Sequence, residues 1–369
     1  MTRRVIQYSS SIGAKEYESV RDCFDANWLT EGPKSKAFLE ALRDLMKVKH
    51  ACFAPNGTLA LYLALRCARV GPGDEVIVPD FTFFGSAAAV EMTGAIPVFC
   101  DIDPQTLQAT ASHFERHITP KTRAIMPVHI YGAVCEMDTI VELARSRSIL
   151  IVEDAAQAVG VHYRGRHAGT FGELGCFSFF ADKTITTGEG GLIVTNDDAL
   201  YETLLYRRNQ GRIDRGSFIH PEIGYNFRIT DMQAAVGLVQ LSRLDELARN
   251  KCEILLHYRE RLAGIPEIRM IDPPPGSGHI PFRAAVYAER ASELMKSLAA
   301  QGVEVRTFFY PLHLQPALAY LRSRLSASNE GFPGSIYAYE NGLCLPLYSG
   351  MPTLDVEYVC DKIGEFYRK

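Results

Sequence analysis

The sequence predicts an α/β fold built around one wide, mostly parallel β-sheet. Between about residues 50 and 210, short apolar runs alternate with helical stretches, the pattern of strands joined by crossover helices. The chain has 369 residues, beyond the ~250–300 at which a single core stops growing. A large domain over residues 1–240 and a smaller one over 241–369 are therefore expected. Hydrophobic residues make up 47% and charged residues 22%, which suits a folded chain and leaves no room for a disordered majority.

Ala51-Cys52-Phe53-Ala54 reads as the first strand and Asn56-Gly57-Thr58 as a tight turn. Residues 59–69 then read as a helix, apolar around most of its circumference and so buried. Gly71-Pro72-Gly73-Asp74 is a turn by composition and leads into the β-branched run Glu75-Val76-Ile77-Val78-Pro79. Similar runs at 96–100, 123–128, 148–152, 175–180 and 191–195 complete a sheet of seven strands. Residues 238–262 carry Leu238, Leu241, Leu244, Leu247 and Ala248 at helical spacing and are expected to form one long helix bridging into the second domain. Beyond it, 272–278 and 322–335 are loops rich in Pro, Gly or Ser that either border a substrate cleft or simply connect elements. There is no internal repeat.

A formal net charge of −4 argues against a nucleic-acid binder, which needs a basic face to neutralise phosphates. The start, Met1-Thr2-Arg3-Arg4-Val5-Ile6-Gln7-Tyr8, turns polar at once and has no apolar stretch of signal or anchor length, so a cytoplasmic protein without membrane contact is expected. The nine cysteines are an odd set without a Cys-x-x-Cys pair. They suggest neither a disulfide framework nor a metal site, and read as small core residues.

Three stretches carry candidate chemistry. In Gly175-Cys176-Phe177-Ser178-Phe179-Phe180-Ala181-Asp182-Lys183-Thr184, a strand runs into a polar loop holding one lysine, followed by Gly188-Glu189-Gly190-Gly191. A lysine just beyond a buried strand can be desolvated enough for imine chemistry, although a loop lysine is also an ordinary surface charge. Leu150-Ile151-Val152-Glu153-Asp154 puts an acidic pair at the end of an apolar strand, where ligands of open α/β sheets gather. A carboxylate there either pairs with a protonated ring nitrogen of a cofactor or caps a following helix. Asn56-Gly57-Thr58 joins strand to helix and leaves amides free for a phosphate, or is a plain turn. The Walker and dinucleotide glycine spacings are absent, which argues against a nicotinamide oxidoreductase.

Taken together, Asn56-Gly57-Thr58, Glu153-Asp154-Ala155-Ala156-Gln157, Ser178-Phe179-Phe180-x-x-Lys183, Gly188-Glu189-Gly190-Gly191 and Gly224-Tyr225-Asn226-Phe227-Arg228 resemble, in order and spacing, the sugar aminotransferases of the DegT/DnrJ/EryC1/StrS family. The resemblance runs from about Gln7 to the C-terminus and is nearest to perosamine-synthase-like members. It implies the type I fold of transferases dependent on pyridoxal 5'-phosphate (PLP), of aspartate-aminotransferase kind, with a smaller C-terminal α+β domain. It also implies that Lys183 carries the cofactor as a Schiff base, that Asp154 pairs with the pyridine nitrogen and that Gln157 lies near the ring hydroxyl. Ser178, Gly57 and Thr58 would hold the phosphate and Phe83 would stack on the ring. Asn226 would reach the phosphate of a neighbouring subunit's cofactor, so that a homodimer shares its active sites.

The same resemblance implies a two-stage exchange between PLP and its amine form, PMP, with glutamate as amino donor and a keto-sugar, a nucleotide-linked 4-keto-6-deoxyhexose, as acceptor. The product would be an amino sugar for a surface polysaccharide or glycoside. Glu31, in Trp28-Leu29-Thr30-Glu31-Gly32-Pro33, and His313, in Tyr310-Pro311-Leu312-His313, match positions near the sugar. His313 is otherwise a histidine satisfied within the small domain, and Arg228 meets a diphosphate or pairs internally with a carboxylate. Two departures stand out: Asp182, where relatives often carry asparagine, and Pro281-Phe282-Arg283, where perosamine synthases are richer in aromatics. A keto- or aldehydo-sugar acid without a nucleotide is the alternative substrate, and a non-catalytic PLP-binding regulator is the alternative from another class. Family members that are dehydratases replace the lysine by histidine, and Lys183 argues against that reading.

Overall fold

The computed structural model describes residues 3–212, 216, 218–321 and 331–368. Its centre is a seven-stranded sheet formed by β1 (His50–Ala54), β2 (Glu75–Pro79), β3 (Ile96–Cys100), β4 (Thr122–Ile125), β5 (Leu150–Asp154), β8 (Leu174–Ser178) and β9 (Gly191–Thr195). Between β5 and β8 the chain makes a small hairpin of β6 (His162–Tyr163) and β7 (Arg166–His167). The strand order is β1-β9-β8-β5-β4-β2-β3. The neighbours from β3 through β8 pair in parallel, and β9 alone runs against the strands on either side of it. The seven runs of apolar residues are these seven strands, with ends shifted by up to three residues. Ser148, expected in a strand, instead ends a helix in a left-handed conformation, so the strand starts at Leu150.

Alternation along the strands sets up two cores, one on each face. Phe53, Ile77, Ile151 and Phe177 point into a cluster with Phe38 and Phe179, while Cys52, Val76, Val78, Val152 and Cys176 point into a cluster with Ala60, Leu63, Ala87 and Val90. The helices packed there include α3 (Gly57–Cys67) and α4 (Gly85–Thr93), preceded in the chain by α1 (Ala14–Asp25) and α2 (Pro33–Met46). Asn56 starts α3 as its N-cap, its side-chain oxygen accepting from the Leu59 amide at 2.9 Å.

After α5 (Ala111–Glu115), α6 (Met137–Arg147) and α7 (Asp198–Arg208), the expected long helix over 238–262 is two helices, α8 (Asp231–Ser242) and α9 (Leu244–Leu262). The break falls at Arg243, whose backbone leaves the helical region (φ −106°, ψ 6°). Its guanidinium is bonded to Ser11, Glu16 and Glu246, so the residue serves tertiary contacts. The remaining chain forms the antiparallel sheet β10 (Ile268–Met270), β11 (Ala284–Ala288), β13 (Gly342–Leu345), β12 (Arg306–Thr307), covered by α10 (Ala291–Ala300), α11 (Pro333–Asn341) and α12 (Thr353–Tyr367). A third core of Tyr258, Val286, Leu294, Leu343 and Val359 lies there, and Val5 joins it by bridging to Val303.

The loop over 272–278 is pinned, with Ser277 Oγ accepting from the Val134 amide at 2.8 Å and Ser277 bridging Tyr163. Of the second loop, residues 322–330 lie outside the described residues and 333–335 begin α11.

Candidate active site

Because β9 runs backwards, its first residue, Gly191, lies between the last residues of β1 and β8, pairing with Ala54 on one side and Ser178 on the other. Parallel β5 ends nearby at Asp154. The same edge of the sheet thus carries the β1–α3 turn, Ser178 and Asp154, and it borders a cavity of about 1210 Å³. Gly57, Thr58, Phe83, Asp154, Gln157, Ser178 and Lys183, all singled out from the sequence, line this one space.

The β1–α3 turn has room for an anion. The first-turn amides of Gly57 and Thr58 have no acceptor among the described residues, as the first amides of a helix require a ligand or water. Gly57 must lack a side chain: a Cβ there would sit 2.9 Å from Ser178 Cβ and 3.4 Å from Ser178 Oγ. Close approach therefore brings the helix start and the Ser178 hydroxyl to one point.

The acidic pair divides its labour. Glu153 is fully buried, and its carboxylate accepts from the amides of Gly169 (2.7 Å), Phe171 (2.6 Å) and Gly172 (2.6 Å), with His129 Nε2 at 2.9 Å. It ties the chain before β8 to the sheet and has no free edge for a ligand. Asp154, 6% exposed, faces the cavity. Its Oδ2 accepts from Ser86 Oγ at 2.7 Å and its Oδ1 from the Ala156 amide at 3.1 Å. The chain after Asp154 turns without forming a helix, so the capping alternative falls away. Gln157 Oε1 accepts from the Tyr131 amide at 2.7 Å, and Tyr131 holds a left-handed backbone (φ 52°) against the cavity.

Lys183 follows β8 in a bend fixed by its amide donating to Phe180 O at 2.9 Å. Its side chain is half-buried, with Nζ 4.4 Å from the centre of the Phe282 ring. Burial pulls its pKa below the ordinary lysine value; Asp182 opposes this and Arg283 adds to it. Asp182 and Arg283, the two departures noted in the sequence, form one buried ion pair at 2.5 Å. Phe83 is 61% exposed over the cavity, and Tyr131 stacks on Phe309 with ring centres 5.5 Å apart.

Four other candidates do not border this cavity. Glu31 makes a bidentate pair with Arg208 at 2.6 and 3.1 Å. His313 is 7% exposed, with Nδ1 2.8 Å from Asp80 and its ring stacked on Phe332. Arg228 donates to the side-chain oxygen of Asn209 at 2.6 Å, an amide in place of the carboxylate considered from the sequence. Asn226 is exposed and bridges Asn209. Sequence reasoning missed Ser86, Tyr131 and the Asp182–Arg283 pair. Asp182 and Arg283 each stood out singly but not as partners, and the signal for Ser86 was only a hydroxyl three residues after Phe83.

Residues 10–364 match the model of the DegT/DnrJ/EryC1/StrS aminotransferase family. The chain is 38% identical over 364 residues to GDP-perosamine synthase from Escherichia coli O157:H7, covering 98% of each. Its fold superposes with a TM-score of 0.94 on S. venezuelae DesV, solved in complex with a ketimine intermediate, at 33% identity over 100% of both chains. Spr1654 from Streptococcus pneumoniae, solved in its PMP form, superposes with a TM-score of 0.92 at 27% identity, again over 100% of both. With a match spanning nearly its whole length, the chain belongs to the DegT/DnrJ/EryC1/StrS aminotransferase family.

Proposed function

We propose that this protein transfers an amino group from glutamate to a nucleotide-linked 4-keto-6-deoxyhexose, using PLP held by Lys183. One observation carries the reading: a half-buried amine, a buried carboxylate and the start of a helix face a single cavity. Each fits one part of the cofactor. The Gly57 and Thr58 amides with Ser178 Oγ suit the phosphate, Asp154 suits a protonated pyridine nitrogen and Gln157 suits the neighbouring ring hydroxyl. Phe83 supplies a face for the ring, worth ~0.5–1.5 kcal/mol in offset stacking.

When bound, PLP supplies an electron sink for the carbon that loses or gains a proton. The chain's own residues do the rest. Ser86 Oγ donates to Asp154 and keeps the carboxylate oriented into the cavity. Lys183, its charged form disfavoured by burial, is suited to take a proton at Nζ from the donor's carbon and pass it to the cofactor's C4′, and in the second half to move a proton from C4′ to the sugar carbon. Beside it, the Arg283 charge is already matched by Asp182, which suits a sugar uncharged at its reacting end. Support for the nucleotide-linked sugar comes from the similarity to GDP-perosamine synthase.

Asn226 and the exposed apolar residues Phe218 (86%) and Ile223 (84%) on the same stretch suit contact with a second copy, and a homodimer with shared sites is part of the proposal. No helix among the described residues is long and apolar enough to cross a membrane, and we place the reaction in the cytoplasm. The test is a panel of nucleotide-linked keto-sugars offered with and without glutamate, products read by mass spectrometry. Glutamate-dependent gain of an amine on a 4-keto-6-deoxyhexose is expected; turnover only of sugar acids, or of none, rejects the substrate class.

A further inference from the structure

Behind Lys183 lies a second buried amine that amino transfer does not use. Lys251, on α9, is 4% exposed, and its Nζ donates to Thr184 Oγ1 at 3.3 Å, on the residue next to Lys183. The two amines and one guanidinium share the Phe282 ring: Lys183 Nζ lies 4.4 Å from its centre, Lys251 Nζ 5.8 Å and Arg283 Cζ 4.0 Å. Asp182 is the carboxylate of this group, and its ion pair is with Arg283. Among the described residues Lys251 has no ion pair, and Thr184 is its hydrogen-bond acceptor. A lysine so placed faces more positive than negative charge.

The remaining titratable neighbours do not redress the balance. Tyr8 and Tyr348 face Lys251 across a small cavity. Burial holds His279 down to about 4 and pushes the adjacent Cys252 thiol up, so neither carries charge near pH 7.

We propose that Lys251 is a positioning residue for Lys183: it anchors the lysine-bearing bend through Thr184, and its own charge, when present, disfavours a second charge on the Lys183 nitrogen. This rests on the reading of Lys183 as the Schiff-base lysine. Burial, then Arg283, bring the Lys251 pKa down to about 7. Below that pH the Lys251 charge opposes protonation of its neighbour, and above it the opposition fades, so the two amines titrate as a coupled pair. Crowding of one cation by another is a known route to an activated lysine.

The test follows the visible absorbance of the PLP-loaded protein from pH 5 to 10 in the wild type, Lys251→Met and Lys251→Arg. Loss of the switchable charge in Lys251→Met should raise the midpoint by about one pH unit, and the permanent charge of Lys251→Arg should lower it. Midpoints that stay put, or move in the same direction in both variants, reduce Lys251 to packing and overturn the proposal. Competitive acetylation of the cofactor-free wild type, read by peptide mapping, needs no variant to fold. Lys183 reactivity should then rise with pH along a curve broader than one proton, with Lys251 half-reactive near pH 7. A single-proton curve for Lys183 overturns the coupling. Absence of any visible band in the loaded wild type would count against the cofactor reading, while the acetylation curves still decide the coupling.

Discussion

Glu153 and Asp154 are adjacent carboxylates with opposite duties, and Glu153→Gln separates them. The substitution keeps the side chain's shape but turns one acceptor oxygen into a donor, placed against a donor partner. In this site the Glu153 oxygens accept from three amides and face His129 Nε2. Exchanging one oxygen for NH₂ breaks two of these contacts and weakens the others by removing the charge. Hydrogen bonds to a charged group contribute ~1.5–3 kcal/mol each, so the loss should come to about 3–5 kcal/mol. For a chain of 369 residues that lowers the melting temperature by roughly 4–6 °C. Circular dichroism melts measure it, beside the visible absorbance and exchange rate of the surviving folded protein. Asp154→Asn is the counterpart, expected to melt close to wild type but to lose at least about a hundredfold in exchange. A Glu153→Gln protein that melts with the wild type, or keeps its stability yet loses exchange, would refute this division.

Three other substitutions probe the site and its surroundings. Gly57→Ala places a methyl 2.9 Å from Ser178 Cβ, and should weaken PLP binding roughly tenfold in an equilibrium titration while costing ~1–3 kcal/mol from overpacking. Lys183→Ala should fold normally, checked by its melt, and should lose about 10²–10⁴ in exchange rate. His167 is neutral in the fold: its Nε2 accepts from the Gly160 amide at 2.9 Å, and burial lowers its pKa to about 4. Between pH 6.5 and 4 the unfolded chain therefore binds the proton that the folded chain refuses, and stability falls as pH drops, by up to about 1.4 kcal/mol per unit. Urea midpoints at pH 7, 6 and 5 should fall in the wild type and fall less steeply in His167→Gln.

Most of the sheet was legible in the sequence because strand identity is local: buried parallel strands are runs of apolar, β-branched residues whatever their partners. Glu75–Pro79, Ile96–Cys100 and Gly191–Thr195 were placed to the residue. The helix over 238–262 was not, since its apolar spacing continues across Arg243 and the break is made by Ser11 and Glu16, more than 220 residues away. Gly57, Thr58, Asp154, Ser178 and Lys183 were found as lining one cavity because each sits at a strand end or in the turn after it, where local motif and tertiary position coincide, whereas Phe83 and Gln157 came from the family resemblance. Glu31 and His313 were different: what holds them, Arg208 and Asp80, lies 177 and 233 residues off in sequence, and no spacing rule connects them. The pairing of Asp182 with Arg283 was hidden for the same reason, although each residue alone stood out as unusual.

The measurement that bears most directly on the whole account is borohydride reduction of the purified, PLP-loaded protein, followed by proteolysis and mass spectrometry. A pyridoxyl adduct on Lys183, and its absence from the Lys183→Ala protein, is the expected result. An adduct confined to another lysine, or none at all, would contradict the assignment.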